Sequence, residues 1–257
     1  MAIDIELSQH IATITINRPE RLNAMDAEHY RLLSQAWTRV RDDPEIRVAI
    51  ITGAGEKSFT AGADIKSYLS RDFHWAEQWL TQKDQLLNRG LEVWKPVISA
   101  INGFCIGGGV TLMLATDIRL AVASATFSLA EVKRGVIAAN GGTQRVVHQL
   151  PHAIAMEMLL TGDAIDAQTA LRWGLINRVT SRESLMVEAR AIAERIAKNA
   201  PLAVQATKEL AIRSRDMDLA AGLRMEQLVG RTLLQTEDAK EGQAAFKEKR
   251  EPKFTAS

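Results

Sequence analysis

Polar and apolar residues alternate near the start of the chain, over residues 3–7 and again over residues 11–16. A period of two is typical of a half-buried strand, so the two segments predict a β-hairpin that turns at residues 8–10. Short and largely aliphatic runs are typical of strands buried on both faces. They predict further strands at residues 47–52, 97–101, 118–122 and 126–129.

Helical spacing follows the first hairpin and dominates the last quarter of the chain. Asp26 is a favourable N-cap ahead of apolar residues that recur three or four positions apart. Thr180 and Glu183 predict a capping box for a later helix, and Pro201 suits the first turn of the next one. The pattern predicts an α/β core over residues 1–196 and a helical C-terminal region over residues 197–257.

Residues 70–91 are polar and aromatic, and their pattern leaves two interpretations open. They predict a helix that packs its aromatic side chains on the core, which is the favoured interpretation. The alternative is a mobile flap over a ligand site.

Composition and charge narrow the classes of protein that the chain can represent. A formal net charge of +1 gives no support to nucleic acid or an anionic membrane as the main partner. No basic segment followed by an apolar core begins the sequence, and no apolar run is long enough for a membrane span. The single cysteine, Cys105, and five histidines without metal-ligand spacing predict a cytoplasmic protein without disulfides or metals.

Two glycine-bearing turns stand before predicted helices and suggest where the chemistry takes place. Gly108 is the middle glycine of a triplet that follows the strand 97–101, and Ala63 follows Gly62 in the other turn. Backbone N–H groups at such turns lack intrahelical partners. If the fold brings the turns together, one N–H from each forms an oxyanion hole for a single carbonyl oxygen.

Glu131 is the best candidate for an acid/base beside such a hole. It follows a predicted short strand and lies among Leu129, Ala130 and Val132, an apolar setting that raises the pKa of a carboxyl group. From spacing alone, an isolated glutamate is more often a solvated surface charge. Cys105 and Ser128 have no histidine placed to activate them, so packing is the favoured interpretation for both.

Eight segments in a characteristic order resemble the crotonase superfamily, that is, the enoyl-CoA hydratase/isomerase family. They are NRP (17–19) with LNAM (22–25), FTAGADIK (59–66), KPVISAINGFCIGGG (95–109), ATDIRLA (115–121), ATFSLAEVKRG (125–135), GGTQR (141–145), ALRWGLINRV (170–179) and AFKEKREPKF (245–254). The resemblance covers nearly the whole chain. It favours a catalytic interpretation of Glu131.

The resemblance implies a spiral of strand-strand-helix units with a helical C-terminal region that packs subunits into trimers, often paired as hexamers. It implies an acyl-CoA thioester as substrate, without a further cofactor, whose carbonyl is held by the N–H groups of Ala63 and Gly108. The residues that it implies for the CoA cleft are Leu22, Ala24, Ala61, Asp64, Ile65 and Lys66, together with Phe246 and Lys249, usually at a neighbouring subunit's site. Asp64 is interpreted first as the N-cap of the following helix.

One departure from the family pattern bears on the reaction. Hydratases of this family carry a second glutamate where this chain has Thr111, and a hydroxyl cannot act as a carboxylate base. A single carboxylate suffices to move a proton between two carbons, so a double-bond isomerase is slightly favoured. Asn140 or Thr111 holding a water keeps a hydratase open, as does similarity to bacterial crotonobetainyl-CoA hydratases. A non-catalytic acyl-CoA-binding scaffold is the remaining alternative, while an RNA-binding function is disfavoured.

Overall fold

Two sheets organise the computed structural model, which describes residues 1–69 and 85–257. The strands are β1 (Ile3–Ser8), β2 (Ile11–Ile16), β3 (Val48–Gly53), β4 (Ser58–Thr60), β5 (Val97–Ile101), β6 (Phe104–Ile106), β7 (Ile118–Val122), β8 (Thr126–Ser128), β9 (Ile165–Asp166) and β10 (Arg178–Thr180). The larger sheet has the order β1-β2-β3-β5-β7-β10 and the smaller one β4-β6-β8-β9. Only the β1–β2 and β8–β9 pairs of these sheets are antiparallel.

Helices follow the strand pairs, and the C-terminal part of the chain after β10 is helical. They are α1 (Ala27–Asp42), α2 (Ile65–Leu69), α3 (Gly108–Met113), α4 (Gly142–Gln149), α5 (His152–Thr161), α6 (Ala167–Arg172), α7 (Arg182–Ala197), α8 (Pro201–Arg213), α9 (Leu219–Leu233) and α10 (Glu237–Glu248). Shorter 3-10 turns cover Pro19–Arg21, Leu87–Arg89, Ala130–Arg134 and Ser214–Asp216.

Successive strands alternate between the two sheets, which gives the chain its spiral course. β3, β5 and β7 join the larger sheet, while the strand after each, β4, β6 and β8, joins the smaller one. A helix or 3-10 turn follows each pair, so strand-strand-helix units repeat. This confirms the α/β class and the crotonase-like spiral, and it places the turns after β4 and β6 beside each other.

The core lies on both faces of the larger sheet, as its aliphatic strands predict. Every residue of β3 and β5 is buried, and the Trp37 side chain of α1 is fully buried as well. On α7, apolar residues such as Leu185 and Ala189 face β3, β5 and β7. This packing fixes the ends of the strands from which the site is built.

Most local predictions are confirmed, and one is wrong. The hairpin turns at Gln9 and His10, which both have positive φ, and Asp26 caps α1 as expected. The predicted cap at Thr180 is wrong, because Thr180 pairs with Val122 in β10 and Ser181 accepts the hydrogen bond from the Ser184 N–H. The predicted helix or flap at 70–91 falls largely outside the described residues, and the division at 196/197 stays a prediction.

Candidate active site

The segment around Leu22 pairs with the turn after β4 through backbone hydrogen bonds. The Ala61 N–H donates to the Leu22 carbonyl at 3.0 Å, and the Met25 N–H donates to the Gly62 carbonyl at 2.8 Å. The Asp64 N–H in turn donates to the Met25 carbonyl at 2.9 Å. These bonds leave the Ala63 N–H outside the pairing, and it has no acceptor among the described residues.

The two glycine turns meet at backbone contact distance. A Cβ on Gly62, whose φ is +84°, would lie 2.8 Å from the Gly108 nitrogen, so only glycine allows this approach. A Cβ on Gly108 would lie 3.6 Å from the Ala63 nitrogen. Gly108 is the first residue of α3, so its N–H also lacks an intrahelical acceptor. The predicted meeting of the two turns is therefore confirmed.

The carboxyl group of Glu131 lies directly beside this pair of turns. A Cβ on Gly107 would lie 3.2 Å from Glu131 Oε1, and the Gly107 N–H donates to the Ser128 carbonyl at 2.8 Å. Glu131 Oε2 is buried and has no hydrogen-bond partner. Burial raises the pKa of Glu131 above its ordinary value. A carboxyl group of this kind is suited to exchanging a proton with a bound molecule.

Thr111 lies on α3 one turn after Gly107 and is almost fully buried. Its hydroxyl donates to the Gly107 carbonyl at 3.2 Å, so only its oxygen lone pairs remain for a water molecule. A Cβ on Gly142 would lie 3.0 Å from Thr111 Oγ1, which shows that the start of α4 packs against it. Asn140, with φ +57°, is exposed in the loop just before.

Asp64 has a structural function that the cap prediction only partly captures. Its Oδ1 accepts from the Lys66 N–H at 3.1 Å, as an N-cap does, and its Oδ2 accepts from Arg18 Nη1 at 2.9 Å. Arg18 also donates to the Ala24 carbonyl at 3.2 Å. Although desolvation opposes it, the hydrogen bonds from Arg18 and the backbone lower the pKa of Asp64. Ile65 and Lys66 follow on α2 and are exposed.

The C-terminal candidates lie apart from these residues in the single chain. Phe246 is 86% exposed on α10, and the Lys249 N–H closes that helix by donating to the Phe246 carbonyl at 3.4 Å. Within the described residues, no hydrogen bond or ion pair joins either residue to the turn at 61–66. The contacts described above join the segments 22–25 and 61–64 to Gly108 and Glu131, and none of them reaches Phe246 or Lys249.

The patterns in the sequence did not single out Tyr30 and Arg89 as site residues. Tyr30 Oη lies 3.7 Å from the position of a Cβ on Gly108, and the Arg89 Cζ lies 5.1 Å from the centre of the Tyr30 ring. Tyr30 was visible only as one residue of a helical face. Arg89 carries no motif, so only the fold identifies it.

Other chemistry is not apparent in the part of the chain that the structure describes. Cys105 is fully buried, and burial raises the pKa of its thiol, which supports the packing interpretation. Residues 1–69 and 85–257 contain no group of three metal-ligating side chains. Nor does any helix within those ranges have the length and apolar character needed to cross a membrane.

Comparisons with known proteins agree with this arrangement. The family model described as enoyl-CoA hydratase/isomerase matches residues 6–257. The chain is 45% identical to (E)-benzylidenesuccinyl-CoA hydratase of Thauera aromatica over 99% of each chain. It is 40% identical to carnitinyl-CoA dehydratase of Citrobacter koseri over 98% of each chain. The crystal structure of enoyl-CoA hydratase from Bacillus anthracis superposes with a TM-score of 0.92, at 34% identity and full coverage of both chains.

The spiral of two sheets, with two glycine turns meeting beside a half-buried carboxyl group, defines the crotonase class of fold. With these matches, the chain belongs to the enoyl-CoA hydratase/isomerase family, and it is an enzyme of the lyase or isomerase type.

Proposed function

We propose that this enzyme adds water reversibly to the double bond of a 2-enoyl-CoA thioester, with Glu131 as the group that transfers the proton. The observation that carries the proposal is the position of the Glu131 carboxyl group beside Gly107, with one oxygen buried and unpartnered. Its raised pKa suits a group that both accepts and returns a proton.

The proposed reaction needs one carboxylate and two backbone donors. Glu131 accepts a proton from water as the water oxygen bonds to C3, and electrons move from the double bond onto the thioester oxygen. The N–H groups of Ala63 and Gly108, which lack acceptors among the described residues, stabilise that enolate oxygen. Glu131 then gives the same proton to C2, which restores the thioester and completes the addition.

The names of the relatives favour hydration over isomerisation. The two quoted above are named a hydratase and a dehydratase, and these names describe the addition and the removal of water. Thr111 fits this function as a residue that positions water, because its oxygen still has free lone pairs while its proton is bound to Gly107.

Isomerisation of a 3-enoyl-CoA remains the second candidate, and Thr111 is the observation that favours it. Moving a double bond requires removing a proton from one carbon and returning it to another, which Glu131 alone can do. Each reaction places negative charge on the thioester oxygen, as a 3-hydroxy enolate in hydration and as a dienolate in isomerisation. The same N–H donors can stabilise either one, so a single site is compatible with both reactions.

The CoA portion is proposed to lie along the paired segments 22–25 and 61–66. Leu22, Ala24 and Ala61 provide backbone there, and the exposed Ile65 and Lys66 lie on α2 at its edge. Val136 and Ile137, which are 58% and 67% exposed, follow the Glu131 turn and offer apolar surface to the acyl group. No cofactor besides the thioester is needed for this chemistry.

Assembly into trimers or hexamers is also a proposal. Exposed leucines on and just after α9, among them Leu219 at 77% and Leu234 at 66%, support burial against other subunits. Assembly would allow Phe246 and Lys249 to reach a neighbour's CoA. Light scattering after size-exclusion chromatography tests it, and a monomer at micromolar concentration would contradict it.

The experiment that tests the function supplies 2-enoyl-CoA and, separately, 3-enoyl-CoA of several acyl types and follows products by mass. We expect the 2-enoyl substrate to gain the mass of one water. Conversion of 3-enoyl to 2-enoyl without a hydrated product would instead establish the isomerase. If acyl-CoA binds but neither reaction occurs with any acyl type, the proposed function is wrong.

A further inference from the structure

Arg89 places a positive charge next to the candidate oxyanion hole. The proposed reaction does not use this charge. Arg89 is the last residue of the 3-10 turn Leu87–Arg89, which precedes β5 (Val97–Ile101) in the chain. Its side chain is half-buried. The proton transfer at Glu131 and the hydrogen bonds to the enolate need no such cation.

Two sets of contacts hold the Arg89 turn against the site. One aromatic ring, that of Tyr30, separates the Arg89 guanidinium from Gly108, with 5.1 Å from Cζ to the ring centre and 3.7 Å from Oη to the Cβ position of Gly108. On the other side, Arg145 Nη1 donates to the Asn88 carbonyl at 3.0 Å, which ties the turn to α4. The turn also packs against α3, the helix that Gly108 begins.

The charge of Arg89 has no counter-charge in the described part of the chain. No carboxylate there lies within ion-pair distance of its guanidinium, and its Nε is buried without a hydrogen-bond partner. Arg18, another half-buried arginine, is by contrast paired with Asp64 at 2.9 Å. A partly desolvated guanidinium without an anion is unfavourable, and a planar carboxylate is the group that matches its paired donors.

The position of Arg89 indicates which part of the ligand supplies the anion. The thioester oxygen is proposed to lie between Ala63 and Gly108, so groups on the acyl chain lie within a few bonds of that point. The phosphates of CoA are separated from it by the whole pantetheine arm. Because Arg89 stacks on Tyr30 and Tyr30 lies beside Gly108, the position of the guanidinium favours an anion on the acyl group.

We propose that Arg89 binds a carboxylate on the acyl group, so that the substrate class is the CoA thioesters of unsaturated dicarboxylic acids. This inference rests on the proposed function, because it assumes that the thioester occupies the Ala63–Gly108 site. Tyr30 supports the guanidinium through its ring face.

The test measures binding of saturated acyl-CoAs by calorimetry, which is independent of turnover. Succinyl-CoA and butyryl-CoA differ only by a carboxylate in place of a methyl group, and glutaryl-CoA and pentanoyl-CoA form the same pair one carbon longer. We expect the wild type to bind at least one carboxylated member about tenfold or more tighter than its neutral partner. Arg89→Met should abolish that preference while leaving the affinity for the neutral partner unchanged, and Arg89→Lys should retain part of it.

Arg134→Met is the matched control, because Arg134 is an exposed arginine on the same 3-10 turn as Glu131. It should leave the preference intact. The proposal is overturned if the wild type shows no preference in either pair, if Arg89→Met weakens both members of a pair equally, or if Arg134→Met removes the preference. If the preference depends on Arg89 but no enoyl-CoA reacts, only the proposed reaction fails; if no acyl-CoA binds, both fail.

Discussion

Replacing Gly107 with alanine is expected to disturb the Glu131 carboxyl group more than any distant backbone change. Gly107 has φ +55° and ψ −115°, a conformation that residues with a Cβ rarely adopt. The new Cβ would lie 3.2 Å from Glu131 Oε1 and 3.5 Å from Cδ, so the carboxyl group must shift by a few tenths of an ångström.

The structure allows both consequences of Gly107→Ala to be estimated. The unfavourable backbone conformation is expected to lower the free energy of unfolding by about 1–3 kcal/mol. A misplacement of about 1 Å can reduce a rate about a hundredfold, so this smaller shift is expected to lower kcat on the order of tenfold.

Gly174→Ala is the control for the backbone effect alone. Gly174 has φ +75°, and a Cβ there meets nothing within 4 Å. This variant should also lose stability, by about 1–2 kcal/mol, but should keep the wild-type kcat. Urea unfolding and enoyl-CoA kinetics on the two variants separate the effects.

A kcat for Gly107→Ala equal to that of Gly174→Ala would refute the reasoning. It would show that turnover does not depend on the position of the Glu131 carboxyl group against Gly107. A large loss of kcat in both variants would contradict it as well, because the effect would then come from stability rather than from the site.

Three further predictions concern the residues around this site. Arg18→Gln removes the guanidinium group that donates to Asp64 and to the Ala24 carbonyl, so the free energy of unfolding should fall by about 2 kcal/mol and KM for acyl-CoA should rise. Unchanged urea unfolding would contradict this. Thr111→Val removes the hydrogen bond to Gly107 and the lone pairs proposed to hold the water, so it should cost about 1 kcal/mol of stability and lower kcat for hydration about tenfold. A wild-type kcat for hydration in this variant would contradict the water-positioning role of Thr111. Because burial raises the pKa of Glu131, the folded protein binds that proton more tightly than the unfolded chain, so the wild type should lose stability relative to Glu131→Gln as pH rises above 4.5. Unfolding curves of the two proteins between acidic and neutral pH test this, and a constant difference would be the contrary result.

Local features of the fold were predictable because their causes lie within a few residues. The hairpin follows from alternation and a short turn, and Asp26 caps α1 through the N–H groups of Glu28 and His29. The wrong cap at Thr180 has a different cause, because a contact distant in sequence determines it. Thr180 and its neighbour Ser181 are both residue types that cap helices. Because β10 pairs with β7, Thr180 is held in the strand, and Ser181 caps α7 instead.

The site was predictable only where a motif marked it. The turns at Ala63 and Gly108 carry glycines that suggest close approach, and the resemblance identified Glu131. Arg89 carries no such signal, because its contact with Tyr30 exists only after α1 and the 87–89 turn pack together. The bond from Arg18 to Asp64 likewise spans 46 positions in the chain.

The most direct test of the central claim compares turnover and binding in the Glu131→Gln variant. The amide is close in shape to the carboxyl group but cannot exchange the proton. We expect kcat with a 2-enoyl-CoA substrate to fall by about 10²–10⁴, while calorimetry shows unchanged affinity for a saturated acyl-CoA. Near-normal turnover in a variant that binds normally would contradict the assignment of Glu131 as the proton-transferring group.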